Sequence, residues 1–98
     1  MAFKEFSGWN EKTELQAYVI FRKLYEKGFP RGIQSKLCKE LANEVELLDA
    51  GNISAKICNY KSEAGINNPS RSSIDTKTNY LKYKEYSIKE LEKLLESL

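Results

Sequence analysis

Histidine is missing from this sequence of 98 residues. Because histidine is the usual general base at neutral pH and a common metal ligand, its absence excludes serine–histidine catalysis and most zinc sites. Glycine-rich phosphate-binding motifs of the GxGxxG or GxxxxGK[ST] type are also missing. We therefore expect a protein that is not an enzyme and that binds no metal and no cofactor.

Cysteine and long apolar runs are scarce. Cys38 and Cys58 form no CxxC pair, and no signal peptide precedes them, so we expect reduced thiols in a cytoplasmic protein. The longest apolar run, residues 17–21, is far shorter than the roughly 20 residues of a membrane-spanning helix. The sequence therefore predicts no membrane segment.

Carboxylates are the remaining candidates for metal binding. Glu40, Glu44 and Asp49 could be grouped as a cluster, but carboxylates on a helix surface are usually solvated. We favour the solvated interpretation.

The composition is that of one small globular domain. Hydrophobic residues make up 41% of the chain and charged residues 31%. The net charge is +2, and the basic excess lies in residues 51–84, which hold six basic and two acidic side chains. A local basic excess favours a polyanionic partner.

Hydrophobic residues recur at helical spacing in three segments, which predicts helices over residues 11–27, 33–45 and 53–63. Asn10 and Gly28 are expected to cap the first helix, with Trp9 folding back on it, and Asn52 is expected to cap the third.

The C-terminal part is less regular. Residues 65–72 are predicted to form a loop. Residues 73–84 suit either a helix or an extended segment, since Ile74, Thr78 and Leu81 have helical spacing. From Ser87 onwards, a capping box begins a terminal helix with a leucine-rich face, formed by Ile88, Leu91, Leu94, Leu95 and Leu98.

These elements predict an all-α protein with a single domain over residues 1–98. A compact three-helix, helix-turn-helix-like unit is expected in residues 9–64, with one or two additional C-terminal helices in residues 73–98.

The third predicted helix has the features of a DNA-reading helix. Its expected core face is formed by Ile53, Ile57, Tyr60 and Ala64. The opposite face carries small or hydrogen-bonding side chains, Ala55, Cys58, Asn59 and Ser62, with Lys56 and Lys61 on either side. Small residues permit close approach to a groove, an amide can pair with adenine, and lysines neutralise phosphates.

Several short motifs carry a family resemblance: Trp9, Glu14-Leu15, Tyr18, Glu40-Leu41-Ala42 and residues 52–60. Together they resemble the helical module that precedes HNH nuclease domains in bacterial restriction-type proteins. The third helix of that module has the pattern Ser-Ile-x-x-Lys-x-x-Asn-Phe/Tyr, which Ile53, Lys56, Asn59 and Tyr60 match, with Asn52 at the serine position. The resemblance implies a recognition module and not a nuclease, since the chain has no histidine for an HNH centre.

We therefore predict a DNA-binding protein, either free or part of a larger restriction-type enzyme. The expected contacts are Lys56 and Asn59, surrounded by Ser54, Lys61, Ser62 and Arg71. The alternative is a protein–protein interaction module of a phage or mobile-element accessory protein, with the C-terminal leucine face as its partner or homodimer surface. For those leucines we favour core packing against the first helix.

Overall fold

Helices α1 to α5 are the regular structure of residues 8–66 and 73–98, the part of the chain that the computed structural model describes. They are α1 (Glu11–Lys27), α2 (Arg31–Glu44), α3 (Ala50–Glu63), α4 (Ile74–Tyr83) and α5 (Ile88–Glu96). About 75% of the described residues are helical, and none of them is in a strand. The predicted all-α class is confirmed.

Helix α1 begins and ends where the sequence predicts. Asn10 and Thr13 form a capping box in which each side chain accepts from the other residue's backbone N–H, at 2.9 and 2.8 Å. Gly28 ends the helix with a φ of 77°, a conformation that costs glycine little. Helix α1 contacts all four other helices, and its residues Leu15 and Leu24 are almost fully buried. It is therefore the central element of the core.

The turn from α1 to α2 continues in the left-handed conformation through Phe29, whose φ is 58°. The Phe29 backbone N–H donates to the carbonyl oxygen of Leu24 at 2.9 Å, which satisfies the end of α1. Helix α2 then begins at Arg31, two residues before the predicted start, because Pro30 fixes an extended entry directly before it. The connection between α1 and α2 is therefore two residues shorter than predicted.

Helix α3 begins at Ala50, and its N-cap is Asp49. The Asp49 Oδ1 atom accepts from the Asn52 backbone N–H at 2.7 Å, and the Asn52 Oδ1 atom accepts from the Asp49 N–H at 3.2 Å. The prediction that Asn52 is the cap was wrong, since Asn52 is the third helical residue of this capping box. The predicted inner face is confirmed: Ile53 and two further residues of that face, Ile57 and Tyr60, are fully buried.

Residues 74–83 form helix α4, with the Ser73 side chain accepting from the Thr76 N–H at 3.1 Å. Its buried face is polar and aromatic, formed by Asp75, Thr76, Asn79 and Tyr83. The expected apolar stripe faces solvent instead, because Ile74 is 75% and Leu81 64% exposed. Of the predicted loop before α4, residues 67–72 lie outside the described part of the chain.

Helix α5 has the predicted capping box. The Ser87 backbone N–H donates to the Glu90 Oε1 atom at 3.0 Å, and the Ser87 hydroxyl accepts from the Glu90 backbone N–H at 3.1 Å. Hydrogen bonding by the Ser87 backbone, and secondarily by its side chain, lowers the pKa of the Glu90 carboxyl below its ordinary value. Leu91 is fully buried against the core, and Leu94 and Leu95 are partly buried against it. Core packing is therefore observed for Leu91, Leu94 and Leu95 of the predicted face, whereas Leu98 is exposed. No helix in the described ranges is long and apolar enough to cross a membrane.

Candidate nucleic-acid interface

Helices α2 and α3 make the most extensive helix–helix contact of the fold and are joined by residues 45–49. Cys38 and Leu41 of α2 are buried, as are Leu48 in the connection and Ile53 of α3. This packing fixes which side of α3 faces solvent.

The outer face of α3 consists of Ala55, Cys58, Asn59 and Ser62. Ala55 and Cys58 are exposed, and Asn59 and Ser62 are half-buried. The Ser62 hydroxyl donates to the carbonyl oxygen of Cys58 in its own helix, at 3.2 Å. These four positions lie away from the core, as predicted. The surface that they form consists of small or hydrogen-bonding side chains.

Lys56 does not belong to this surface, and its predicted role as an exposed DNA contact needs correction. The residue is only 8% exposed. Its Nζ atom lies 3.1 Å from the Glu14 Oε2 atom, donates to the Thr76 hydroxyl at 3.0 Å and lies 4.4 Å from the centre of the Trp9 ring. Because α1 and α4 cover this flank of α3 and offer a carboxylate there, the side chain is directed inward.

Five buried or nearly buried polar side chains form what we call the Glu14 cluster: Glu14, Lys56, Tyr60, Thr76 and Asn79. The Tyr60 hydroxyl donates to the Glu14 Oε1 atom at 2.7 Å and accepts from the Asn79 amide at 3.2 Å. The Thr76 hydroxyl donates to the same Glu14 oxygen at 3.0 Å. Burial, followed by the nearby Glu14 carboxylate, raises the pKa of the Tyr60 phenol well above its usual range.

The Glu14 cluster is a structural element of the core. Its members come from α1, α3 and α4, and each makes a directional contact with another helix. Buried polar groups in such a network stabilise one arrangement of the helices because a displaced helix would leave them unpaired. Lys56 therefore positions α3 and α4.

The second predicted lysine, Lys61, lies on the opposite flank of α3, beside α2. Its Nζ atom is 4.3 Å from the centre of the Phe29 ring, a cation–π contact. Ser54 is on the same flank, where its hydroxyl accepts from the Gln34 side-chain amide of α2 at 3.3 Å. Two predicted contacts, Ser54 and Lys61, are therefore brought together.

These residues border an open cavity that we call the Arg31–Lys61 groove. Its volume is about 540 Å³. It is lined by Phe29, Arg31, Gln34, Ser35, Cys38, Ala50, Gly51, Ser54 and Lys61. Two of these side chains are cations, and none is a carboxylate. Arg71, the last predicted contact, lies outside the described residues.

The two thiols differ in their surroundings. Cys58 is exposed on the outer face of α3, whereas Cys38 is buried, and burial raises the pKa of the Cys38 thiol. Over residues 8–66 and 73–98, no three cysteine, aspartate or glutamate side chains are grouped so as to hold a metal ion. Glu40, Glu44 and Asp49 are each exposed.

Two residues of this region, Glu14 and Arg31, are not among the predicted contacts. Glu14 was not predicted to be buried, although it is four residues from Tyr18 and seven from Phe21 and therefore shares their buried stripe. That spacing could have revealed it. Arg31 lies between the first two predicted helices, and the position of Pro30 directly before it is the local signal that a helix begins there.

Comparison of the chain with models of known protein families, with curated proteins and with solved structures finds no match.

Proposed function

We propose that this protein is a DNA-binding module without catalytic activity, in which α2 and α3 act as a helix-turn-helix pair and the outer face of α3 lies against the duplex. The observation that carries the proposal is the side-by-side arrangement of this small, polar face and the basic Arg31–Lys61 groove. Base-edge contacts need small or amide side chains, whereas register on the duplex is set by cations on phosphates.

The contact set of the proposal differs from the predicted one. Asn59 and Ser62 remain on the outer face, with Ser54 and Lys61 at its α2 side. Lys56 leaves the set because Glu14 and Thr76 enclose it. Of the residues that match the motif of the restriction-type module, Ile53, Lys56 and Tyr60 are therefore buried, and Asn59 is half-buried on the outer face.

Protein–protein interaction is the second candidate function, and the observation that favours it is on α4. Ile74 and Leu81, seven residues apart on one side of that helix, are both largely exposed. The C-terminal leucine face supports this candidate less, because Leu91 is fully buried and only Leu98 is markedly exposed, at 48%.

The test is fluorescence anisotropy with a labelled random-sequence duplex at several salt concentrations. We expect binding at about 50 mM salt that weakens steeply toward 200 mM, as phosphate contacts require. Ala55→Glu should weaken binding by at least about tenfold, because a carboxylate on the outer face of α3 would repel the backbone phosphates.

The matched control is Thr78→Glu, which makes the same change of charge at an exposed position of α4. It should bind DNA nearly as the unmodified protein does. An absence of salt-dependent binding, or equal weakening by both substitutions, would contradict the proposal. Salt-insensitive capture of another protein, lost on Leu81→Glu, would favour the second candidate.

A further inference from the structure

The Arg31–Lys61 groove has the volume and the lining of a site for a small anionic group. Its volume of about 540 Å³ falls within the roughly 300–1,000 Å³ that is usual for ligand sites. Besides its two cations, it is lined by three neutral hydrogen-bonding side chains, those of Gln34, Ser35 and Ser54. A site with this lining would favour an anion with several acceptor oxygens.

The cations that line the groove are not neutralised by a carboxylate of the described residues. The Arg31 side chain is exposed and makes no hydrogen bond or ion pair in the described part of the chain, and the contact of Lys61 is with the uncharged Phe29 ring. That ring is itself packed against Phe21, with 5.8 Å between ring centres. Lys61 is therefore positioned at the groove by an aromatic surface that leaves its charge uncompensated.

The neutral side chains that line the Arg31–Lys61 groove can also donate hydrogen bonds. The Gln34 amide donates to the Ser54 oxygen, and within the described residues the Ser54 hydroxyl hydrogen has no acceptor. At the start of α2, Pro30 provides no side-chain cap for the first-turn N–H groups. The groove is therefore lined by hydrogen-bond donors as well as by two cations.

We infer that the Arg31–Lys61 groove binds a phosphate group and, resting on the proposed function, that this phosphate belongs to the backbone of duplex DNA. A guanidinium binds two phosphate oxygens in a fork, and the ammonium of Lys61 supplies a second charge from the facing helix. Since Ser54 and Lys61 are residues of α3, a phosphate held here would fix the position of α3 on the duplex.

The first arm of the test uses inorganic phosphate as the probe. In ¹⁵N–¹H NMR spectra at constant ionic strength, phosphate should shift the Arg31 side-chain signal and the backbone signals of Ser35, Gly51 and Ser54. An Arg31→Gln/Lys61→Gln variant should lose these shifts. A Lys36→Gln/Lys39→Gln variant, which removes two exposed charges of α2 outside the groove, should keep them.

The second arm uses the random duplex. For the groove variant we expect binding at least about tenfold weaker at 50 mM salt, and a slope of log affinity against log salt that is smaller by roughly two units. The control variant should lose less than about threefold. Both variants should keep the melting temperature of the unmodified protein within a few degrees, since these side chains are on the surface.

The arms separate the two proposals. If DNA binds and the groove variant behaves like the control, the groove is not a phosphate site, while DNA binding stands. If phosphate shifts the groove signals but no DNA binds, the site takes the phosphate of a free ligand, and the proposed function is overturned. If phosphate shifts none of the groove signals and no DNA binds, both the phosphate site and the proposed function are overturned.

Discussion

At the scale of single residues, Lys56 and Glu14 form an ion pair inside the Glu14 cluster, with 3.1 Å between the Lys56 Nζ and Glu14 Oε2 atoms. Both side chains are removed from water, the carboxylate almost entirely. Desolvation of two charges costs several kcal/mol, which is offset only if every polar atom is well paired. The hydroxyls of Tyr60 and Thr76 both donate to the Oε1 atom of Glu14, whereas the Lys56 ammonium lies 3.1 Å from its Oε2 atom, which accepts no hydrogen bond from the described residues.

We expect Lys56→Met to destabilise the protein by about 3–5 kcal/mol, since it leaves the Glu14 carboxylate buried without a cation. Glu14→Gln combined with Lys56→Met should recover most of this loss, because the remaining amide needs no counterion. Urea unfolding followed by circular dichroism measures both free energies of unfolding.

Lys77→Met is the control, because Lys77 is exposed on α4. It should change the free energy of unfolding by less than about 0.5 kcal/mol. A cost below about 1 kcal/mol for Lys56→Met would show that the buried pair has no structural role.

At the scale of helices, the ends of α1 are set by local chemistry, whereas the orientation of α4 is set by its neighbours. The Asn10 capping box and Gly28 could be read from residues that lie close together in sequence. The polar inward face of α4 could not, because it depends on a carboxylate and a phenol contributed by α1 and α3. The spacing of hydrophobic residues therefore predicted that α4 could be a helix, but it did not predict which side of α4 is buried.

The two glycines around the α1–α2 turn offer a matched comparison. Gly28 has a φ of 77°, Gly32 does not have a positive φ, and a Cβ atom at either position would meet open space. Gly28→Ala should therefore destabilise by roughly 1 kcal/mol through backbone strain alone. Gly32→Ala should stabilise by roughly 0.4–1 kcal/mol, since alanine favours the helix.

Thermal unfolding checks whether Gly28→Ala lowers the stability of the protein and Gly32→Ala raises it. Gly28→Asn should lie between Gly28→Ala and the unmodified protein, because asparagine tolerates the left-handed region better. Equal effects of alanine at both glycines would contradict the assigned backbone conformations.

The contrast between local sequence signals and contacts with other helices also applies to the candidate site. The outer face of α3 follows from periodicity, so Ala55, Cys58 and Asn59 could be assigned to it from the sequence. The placement of Lys56 depends on which helix covers each flank of α3, information that no local pattern contains. The Arg31–Lys61 groove combines residues some 30 positions apart and became visible only in the fold.

At the scale of the whole molecule, α1 is the element against which the others are assembled, since it contacts each of them. Helix α5 packs on α1, and Leu91 is its one fully buried residue. Its ion pair between Lys23 and Glu92, at 3.2 Å, is exposed and contributes little. The described part of the fold therefore has a stable centre and a more weakly attached C-terminal helix.

Hydrogen exchange followed by NMR should reproduce this order. The amides of α1 around Tyr18 and Phe21 should exchange most slowly, through global unfolding, and those of α5 several-fold faster, through local opening. Leu91→Ala should widen the difference by releasing α5 while leaving α1 protected. Uniform protection of all five helices would instead indicate one cooperative unit.

The Glu14 cluster also constrains how this sequence can change over time. Each of its five side chains donates or accepts a hydrogen bond, or forms an ion pair, with another member of the cluster. Replacing one of them therefore changes which residues are compatible with folding at the other four positions. Descendants of this chain should retain the set or exchange it together for apolar residues, and intermediate combinations should be rare. Pairs of positions as distant in sequence as 14 and 76 would then vary in concert, and their joint substitution would report the packing of α4 on α1.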